Sequence, residues 1–171
     1  NEILRTEVLT KLTSYSSTLK SHLFIVTYPD ALAEEVVSKE QMQEQMLVVR
    51  RGQKIDITEV ESTLVDFGFR RVDYVYEPGQ FAIRGSIVDV YSFSNETPYR
   101  IDFFDDEVDT IRTFEVQTQL SVEKHDEVSI VPQLKDKNRE SMLSFVPKDT
   151  IVVTKQVDYL CETIDTIGEQ G

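Results

Sequence analysis

The chain has few of the residues that build common cofactor and metal sites. Its 171 residues include one cysteine, two histidines and six glycines. The glycines form neither G-x-x-x-x-G-K-[ST] nor G-x-G-x-x-G, the loops that hold nucleotide phosphates on backbone N–H groups. His22 and His125 lie far apart, and neither forms a zinc-ligand pattern with Cys161. We therefore expect no cofactor and no metal, and we expect Cys161 to be a buried structural thiol.

Long apolar runs and an excess of positive charge are also absent. No segment approaches the roughly 20 apolar residues that cross a bilayer, and the N-terminus lacks the basic-then-apolar layout of a secretory signal. The formal net charge of −13 disfavours binding of the chain as a whole to nucleic-acid phosphates. These absences predict a soluble, cytoplasmic protein without membrane or nucleic-acid contacts of its own. Because the chain begins at Asn1, we expect a piece of a longer protein.

Residues 80–114 carry the clearest structural pattern, several short apolar runs separated by turn residues. In Tyr99–Phe104 the side chains alternate, so Arg100 and Phe104 point away from the face that carries the apolar residues. The same alternation in residues 80–85 predicts that Arg84 also points to this outer side. The pattern predicts a sheet with a core face and an outer face bearing two guanidinium groups and one aromatic ring.

Arginine is concentrated in the segment that holds this sheet. Seven of the nine arginines fall between Arg50 and Arg112. A guanidinium beside an exposed ring is the usual composition of a protein-binding hot spot. The alternative is that the following loop covers Phe104 and that the arginines only solvate the sheet. Of the neighbours Arg70 and Arg71, strand parity favours Arg71 on the outer face.

Two other function classes remain open. A metal-dependent hydrolase would use the carboxylates of Asp102, Asp105 and Glu107. However, Asp105-Asp106 indicates a tight hairpin turn, where exposed carboxylates are ordinary. A nucleic-acid-binding module would use a basic set: Arg50, Arg51, Lys54, Arg70 and Arg71.

Several helices are predicted from periodicity and capping residues. Thr58-x-x-Glu61 forms a capping box, Val60 and Leu64 give a helical stripe, and Gly68 supplies a left-handed C-terminal residue. The first helix is predicted from a stripe at spacings of three and four: Leu4, Val8, Leu12, Tyr15 and Leu19.

The two ends of the chain share one pattern. The runs at 22–29 and 150–155 are apolar without alternation, which is typical of strands covered on both faces in a parallel sheet. Each precedes a helical pattern, the first capped by Asp30 and reaching Val37, the second starting near Asp158. The repetition predicts that the two ends pack together as an α/β layer.

This pattern predicts two domains in an α+β fold. Residues 1–44 and 133–171 would form the flanking α/β module. Residues 45–132 would be inserted into it as an antiparallel-rich sheet domain.

One long segment resembles a known family. VDYVYEPGQFAIRGSIVDVYSF (72–93) and PYRIDFFDDEVDTIRTFEVQTQLS (98–121) resemble the signature of the UvrB-homology module of bacterial transcription-repair coupling factors. The strong match covers residues 68–121, and the flanking ends resemble a degenerate RecA-type fold without a phosphate loop. Two positions depart from the pattern: Ser86 replaces a glycine, and Ala82 stands where UvrB has a contacting arginine.

The resemblance implies a non-catalytic domain that binds UvrA, the damage-sensing ATPase of nucleotide excision repair, and recruits it to stalled RNA polymerase. By motif position, the family's UvrA contacts match Arg84, Arg100 and Phe104, and Arg71 matches a further contact in UvrB. Other domains of the full-length relative, an ATP-dependent DNA translocase, would contact RNA polymerase and DNA.

Overall fold

The computed structural model describes three segments of the chain: residues 2–14, 23–134 and 139–168. The chain divides into two compact units, the first from residues 1–7 and 44–134 and the second from residues 8–43 and 135–171. The domain boundaries predicted above stay a prediction. Among the described residues, none of the helices has the length and apolar character needed to span a membrane.

Five α-helices and ten β-strands occur in the described residues, so the predicted α+β class is confirmed. The helices are α1 (Glu2–Ser14), α2 (Pro29–Ala33), α3 (Lys39–Glu44), α4 (Ile57–Asp66) and α5 (Val157–Gly168). The strands are β1 (Glu35–Val37), β2 (Leu47–Arg50), β3 (Arg70–Arg71), β4 (Gln80–Arg84), β5 (Ile87–Tyr91), β6 (Tyr99–Phe104), β7 (Glu107–Phe114), β8 (Ser121–His125), β9 (Glu127–Ile130) and β10 (Arg139–Ser141).

The first unit is built on a six-stranded sheet in the order β3-β4-β5-β6-β7-β8. β3 runs parallel to β4, and the other neighbours are antiparallel. Two-residue turns at Gly85-Ser86 and Asp105-Asp106 join consecutive strands, and Asp105 has a φ of 58°. β2 and β9 form a separate antiparallel pair. The predicted sheet and its hairpin at Asp105-Asp106 are confirmed.

One face of the sheet forms the core of this unit. Phe81 of β4, Val88 of β5 and Ile101 of β6 are fully buried and belong to one apolar cluster with Val60 and Leu64 of α4. Because side chains alternate along each strand, this packing fixes which residues point to the opposite face. We call that opposite face the outer face.

Helix α4 confirms the predicted helix but corrects its cap. Asp56, not Thr58, is the N-cap: its Oδ1 accepts hydrogen bonds from Thr58 Oγ1 (2.6 Å) and Thr58 N (2.7 Å). These two bonds lower the pKa of Asp56. Glu61, the other half of the predicted capping box, instead pairs with Arg71. Gly68 has a φ of +78°, as predicted for the residue that ends the helix.

Replacing Asp56 with alanine is expected to lower the melting temperature at pH 7, because two bonds at the helix start are lost. A lowered folded-state pKa gives stability that is present above the unfolded pKa and is lost as pH falls through the folded value. The difference between wild type and Asp56→Ala should therefore shrink on acidification to about pH 3. Thermal unfolding followed by circular dichroism across this range measures it. Asp56→Asn, which keeps a cap without the charge, is the control, and a pH-independent deficit for Asp56→Ala would contradict the assignment.

The second unit lacks the two strands predicted at its core. Residues 23–28 and 150–155 form no strand, and His22 lies outside the described residues. Val26 is 99% exposed, and Val153 is 90% exposed. A strand of this composition needs hydrogen-bond partners and cover on both faces. In the described part of this unit, the only strand pairing is β1 with β10, so that requirement is not met.

Other predictions in this unit were also partly wrong. The predicted cap at Asp30 is wrong, because α2 begins at Pro29 with Tyr28 as its N-cap and Asp30 lies in its first turn. The helix ends at Ala33, because Val36 and Val37 belong to β1, where they pair with β10. Helix α5 confirms the predicted C-terminal helix, but Cys161 is exposed rather than buried. The predicted first helix is confirmed as α1, and its last two stripe positions lie outside the described residues.

Candidate protein-interaction surface

The strand register brings charged side chains from three strands together on the outer face. Asp89 of β5 lies opposite Ala82 of β4 on one side and opposite Arg100 of β6 on the other. Arg84 follows Ala82 by two residues and therefore shares its face. We call Arg84, Asp89 and Arg100 the arginine–aspartate cluster.

Asp89 is the centre of this cluster and is fully buried. Its Oδ1 accepts a hydrogen bond from Arg100 Nε (2.7 Å), and its Oδ2 accepts one from Arg100 Nη2 (2.9 Å). Arg84 Nη2 also donates to Oδ2. Burying a carboxylate without partners would be strongly unfavourable, and the two guanidinium groups supply its partners here. Asp89 in turn fixes the geometry of both arginines.

Arg100 contacts a backbone carbonyl and an aromatic ring in addition to Asp89. Its Nη1 donates to the carbonyl oxygen of Gln119 at 3.0 Å, and its guanidinium lies 4.7 Å from the ring centroid of Phe114. Hydrogen bonding to Asp89 raises the pKa of Arg100, against the opposing effect of burial. Only 18% of its side chain is exposed. Arg100 is therefore a charged but mostly covered member of the cluster.

Arg84 is the more accessible arginine of the cluster, with 36% of its side chain exposed. Its Nη1 donates to the carbonyl oxygen of Asp73 at 3.0 Å, and its guanidinium lies 5.4 Å from the ring centroid of Tyr74. It also lines a pocket of about 540 Å³ with neighbouring side chains: Arg71, Val72, Asp73, Tyr74 and Ile83. A group entering this pocket can reach a guanidinium and an aromatic ring together.

Phe104 stands at the end of β6, beside the Asp105-Asp106 turn, and is 79% exposed. Its neighbour Phe103 belongs to the core, so the alternation along β6 is maintained to the last residue. Asp102 pairs with Thr110 and Phe103 with Val108, which leaves one extra residue, a bulge, in β7. The alternative that the following loop covers Phe104 is wrong.

Arg71 does not lie on the outer face, so the prediction from strand parity is wrong. In the parallel pair β3–β4, Arg71 lies beside Phe81, a core residue, and its guanidinium pairs with Glu61 of α4. Arg70 is the residue beside Gln80, on the Ala82 side of the strand. Arg71 approaches Arg84 only through the pocket that both residues line.

The sequence analysis did not identify Asp89, and it did not predict that the loop after β3 covers part of the outer face. Val75, Ala82 and Phe114 form a second buried cluster, so Ala82 is covered by the loop that follows β3. A larger side chain at position 82 would compete for space with Val75 and Phe114 in this cluster. A signal for Asp89 was present, because a two-residue turn at Gly85-Ser86 places residue 89 opposite residue 82.

The sets proposed for the other function classes do not form comparable sites. In the described residues, no group of three or more His, Cys, Asp or Glu side chains is placed to hold a metal. Four of the five cations of the nucleic-acid alternative pair with carboxylates of the chain itself: Arg50 with Glu127, Arg51 with Asp126, Arg70 with Glu77 and Arg71 with Glu61.

Comparison with known proteins shows that this surface lies within a known interaction domain. Residues 47–135 match the family model described as the UvrB interaction domain. The chain belongs to the UvrB interaction domain family. The match contains the arginine–aspartate cluster and Phe104, and it confirms the family resemblance predicted from residues 72–93 and 98–121.

Curated relatives of this UvrB interaction domain carry the name transcription-repair-coupling factor. The protein from Escherichia coli K12 is 31% identical over 121 residues, which is 69% of this chain and 10% of the relative. The Bacillus subtilis 168 protein is 41% identical over 86 residues, 50% of this chain and 7% of the relative. The Staphylococcus aureus USA300 protein is 35% identical over 150 residues, 88% of this chain and 12% of the relative. The chain therefore spans about a tenth of these relatives.

Proposed function

We propose that this chain is the UvrA-binding part of a bacterial transcription-repair coupling factor, acting in the cytoplasm as a non-catalytic adaptor. It would recruit UvrA to stalled RNA polymerase during nucleotide excision repair. Its membership of the UvrB interaction domain family and the names of its relatives support this proposal. Contacts with RNA polymerase and DNA would belong to other parts of a longer protein.

The observation that carries the proposal is the charge balance of the arginine–aspartate cluster. Two guanidinium groups share the single carboxylate of Asp89, which leaves one positive charge uncompensated. A carboxylate on a partner would balance that charge, and Arg84 is exposed enough to meet it. The exposed ring of Phe104 on the same face supplies the apolar contact area that a hot spot needs.

The four residues proposed to bind the partner have different roles. Arg84 would pair with a partner carboxylate, and Phe104 would enter an apolar pocket of UvrA. Arg100 is mostly covered, so it would act chiefly by holding Asp89 and adding positive charge beneath the contact surface. Arg71 would contribute at the edge, through the pocket that it lines with Arg84.

Replacing Arg84 with alanine is expected to weaken UvrA binding by about 1–2 kcal/mol, roughly five- to thirtyfold, since an accessible charged contact is lost. Arg84→Lys keeps the charge but not the planar fork, so it should recover only part of the affinity. Calorimetric titration of the purified fragment with purified UvrA measures both changes. Arg50→Ala is the matched control, because Arg50 is an exposed, ion-paired arginine on β2, outside the six-stranded sheet.

The outcome of the titration separates the proposal from its rivals. A wild-type fragment that shows no heat with UvrA would overturn the proposed function. Unchanged affinity in Arg84→Ala would instead remove Arg84 from the contact surface. Fluorescence anisotropy with duplex DNA at low and moderate salt tests the nucleic-acid alternative, which requires binding that weakens steeply with salt.

A further inference from the structure

A row of positive charge extends from the arginine–aspartate cluster across the outer face. Arg100 of β6 lies directly opposite Arg112 of β7, and Arg112 lies directly opposite Lys124 of β8. Residues directly opposite on antiparallel strands share a face, so three cations stand side by side on adjacent strands. Like charges in this arrangement destabilise a sheet. The row is therefore a feature that folding alone does not favour.

Asp89 does not neutralise the far end of the row. Both carboxylate oxygens of Asp89 are taken by Arg84 and Arg100. In the part of the chain that the structure describes, neither Arg112 nor Lys124 takes part in an ion pair. Arg112 Nε is moreover buried without a hydrogen-bond partner among the described residues. Buried donors are nearly always paired with a protein group or with water, so Arg112 keeps hydrogen-bonding capacity that the described residues do not use.

We propose that Arg112 and Lys124 extend the partner-binding surface and receive an acidic segment of UvrA, rich in Asp or Glu. This inference rests on the proposed function and adds a second contact region to it. The partner group would balance the two cations and relieve the repulsion along the row. In the free chain the repulsion remains, so stability is exchanged for binding at these positions.

The position of the row favours an acidic protein segment over a nucleic acid as the occupant. The row is continuous with Arg100, whose cluster also contains Arg84 and lies on the same face as Phe104, so one protein surface would cover all of them. The two cations should differ in effect. Arg112 is half-buried and would make a specific contact, whereas Lys124 is exposed and would mainly steer association.

The inference is tested with Arg112→Gln, Lys124→Gln and the double variant, each titrated with purified UvrA. We expect about five- to tenfold weaker binding for Arg112→Gln and about two- to threefold for Lys124→Gln, the latter mostly in the association rate. The loss for Lys124→Gln should shrink as salt is added. The melting temperature of Arg112→Gln should equal or exceed that of wild type, because the repulsion is reduced. Arg50→Gln is the matched control.

The outcomes distinguish this inference from the proposed function. If Arg84→Ala and Phe104→Ala weaken UvrA binding while the Arg112 and Lys124 variants bind as wild type does, the row is not part of the interface and the proposed function stands. If Arg112→Gln loses binding only because it unfolds, its lowered melting temperature contradicts the inference. If wild type binds duplex DNA instead and Arg112→Gln does not, the row serves a nucleic acid and the inference is wrong.

Discussion

Replacing Phe104 with alanine is expected to weaken UvrA binding by about 2–4 kcal/mol, roughly thirtyfold to several-hundredfold. The ring is mostly exposed in the free chain, so its removal leaves no cavity and breaks no core contact. Its full contact area becomes available to a partner, and aromatic side chains dominate interface energetics because of that area. The loss should therefore appear in binding and not in folding.

Two measurements establish this separation. Calorimetric or surface-based titration with UvrA gives the change in Kd, and thermal unfolding should give the same melting temperature as wild type. Val65→Ala is the control, because Val65 is an exposed apolar residue on α4, which packs against the opposite side of the sheet. An affinity for Phe104→Ala equal to that of wild type would show that the end of β6 lies outside the interface.

Asp89→Ala is expected to destabilise the first unit by about 3–5 kcal/mol, because it removes the only shared partner of two guanidinium groups. Arg100 would lose two of its three hydrogen bonds while most of its side chain stays covered. Urea unfolding of the chain measures the loss through a shift in the midpoint at constant slope. Asp89→Asn, which keeps one acceptor oxygen and the side-chain shape, should lose less.

Asp102→Ala is the matched control for Asp89→Ala. Asp102 lies on the same face of β6, is half-exposed, and accepts one hydrogen bond from Ser86 Oγ at 3.1 Å. Its removal should change stability by less than about 1 kcal/mol. Equal stabilities of the two alanine variants would mean that Asp89 does not hold the cluster. For the same reason Arg100→Ala is a poor test of binding, because it removes one of the two partners of the buried carboxylate of Asp89 and so affects folding as well.

The sheet and its outer face were predictable because their signals are local. Alternation along β6 and the turn residues at Asp105-Asp106 fix which side chains point outward, without knowledge of distant contacts. Helix α4 was predictable for the same reason, although two residues competed for its cap. Asp56 and Thr58 both lie at the start of the helix, and only the hydrogen bonds show that Asp56 accepts while Thr58 donates.

The parts that escaped prediction depend on pairing between distant residues. Val36 and Val37 belong to a strand because β10, about a hundred residues later, lies beside them. The parity of Arg71 depended on the register of β3 beside β4, and a parallel pair of two residues gives no sequence signal. The runs at 22–29 and 150–155 have the composition of buried strands, yet their described residues lie without strand partners.

The extra residue in β7 has a consequence for the shape of the surface that any partner must present. A bulge increases local twist and bends the strand that carries it, so we expect the end of the β6–β7 hairpin, where Phe104 stands, to leave the mean plane of the sheet. Under the proposed function, UvrA would then meet the ring and the guanidinium groups with differently sloped surfaces, a recess for the ring beside an acidic rim.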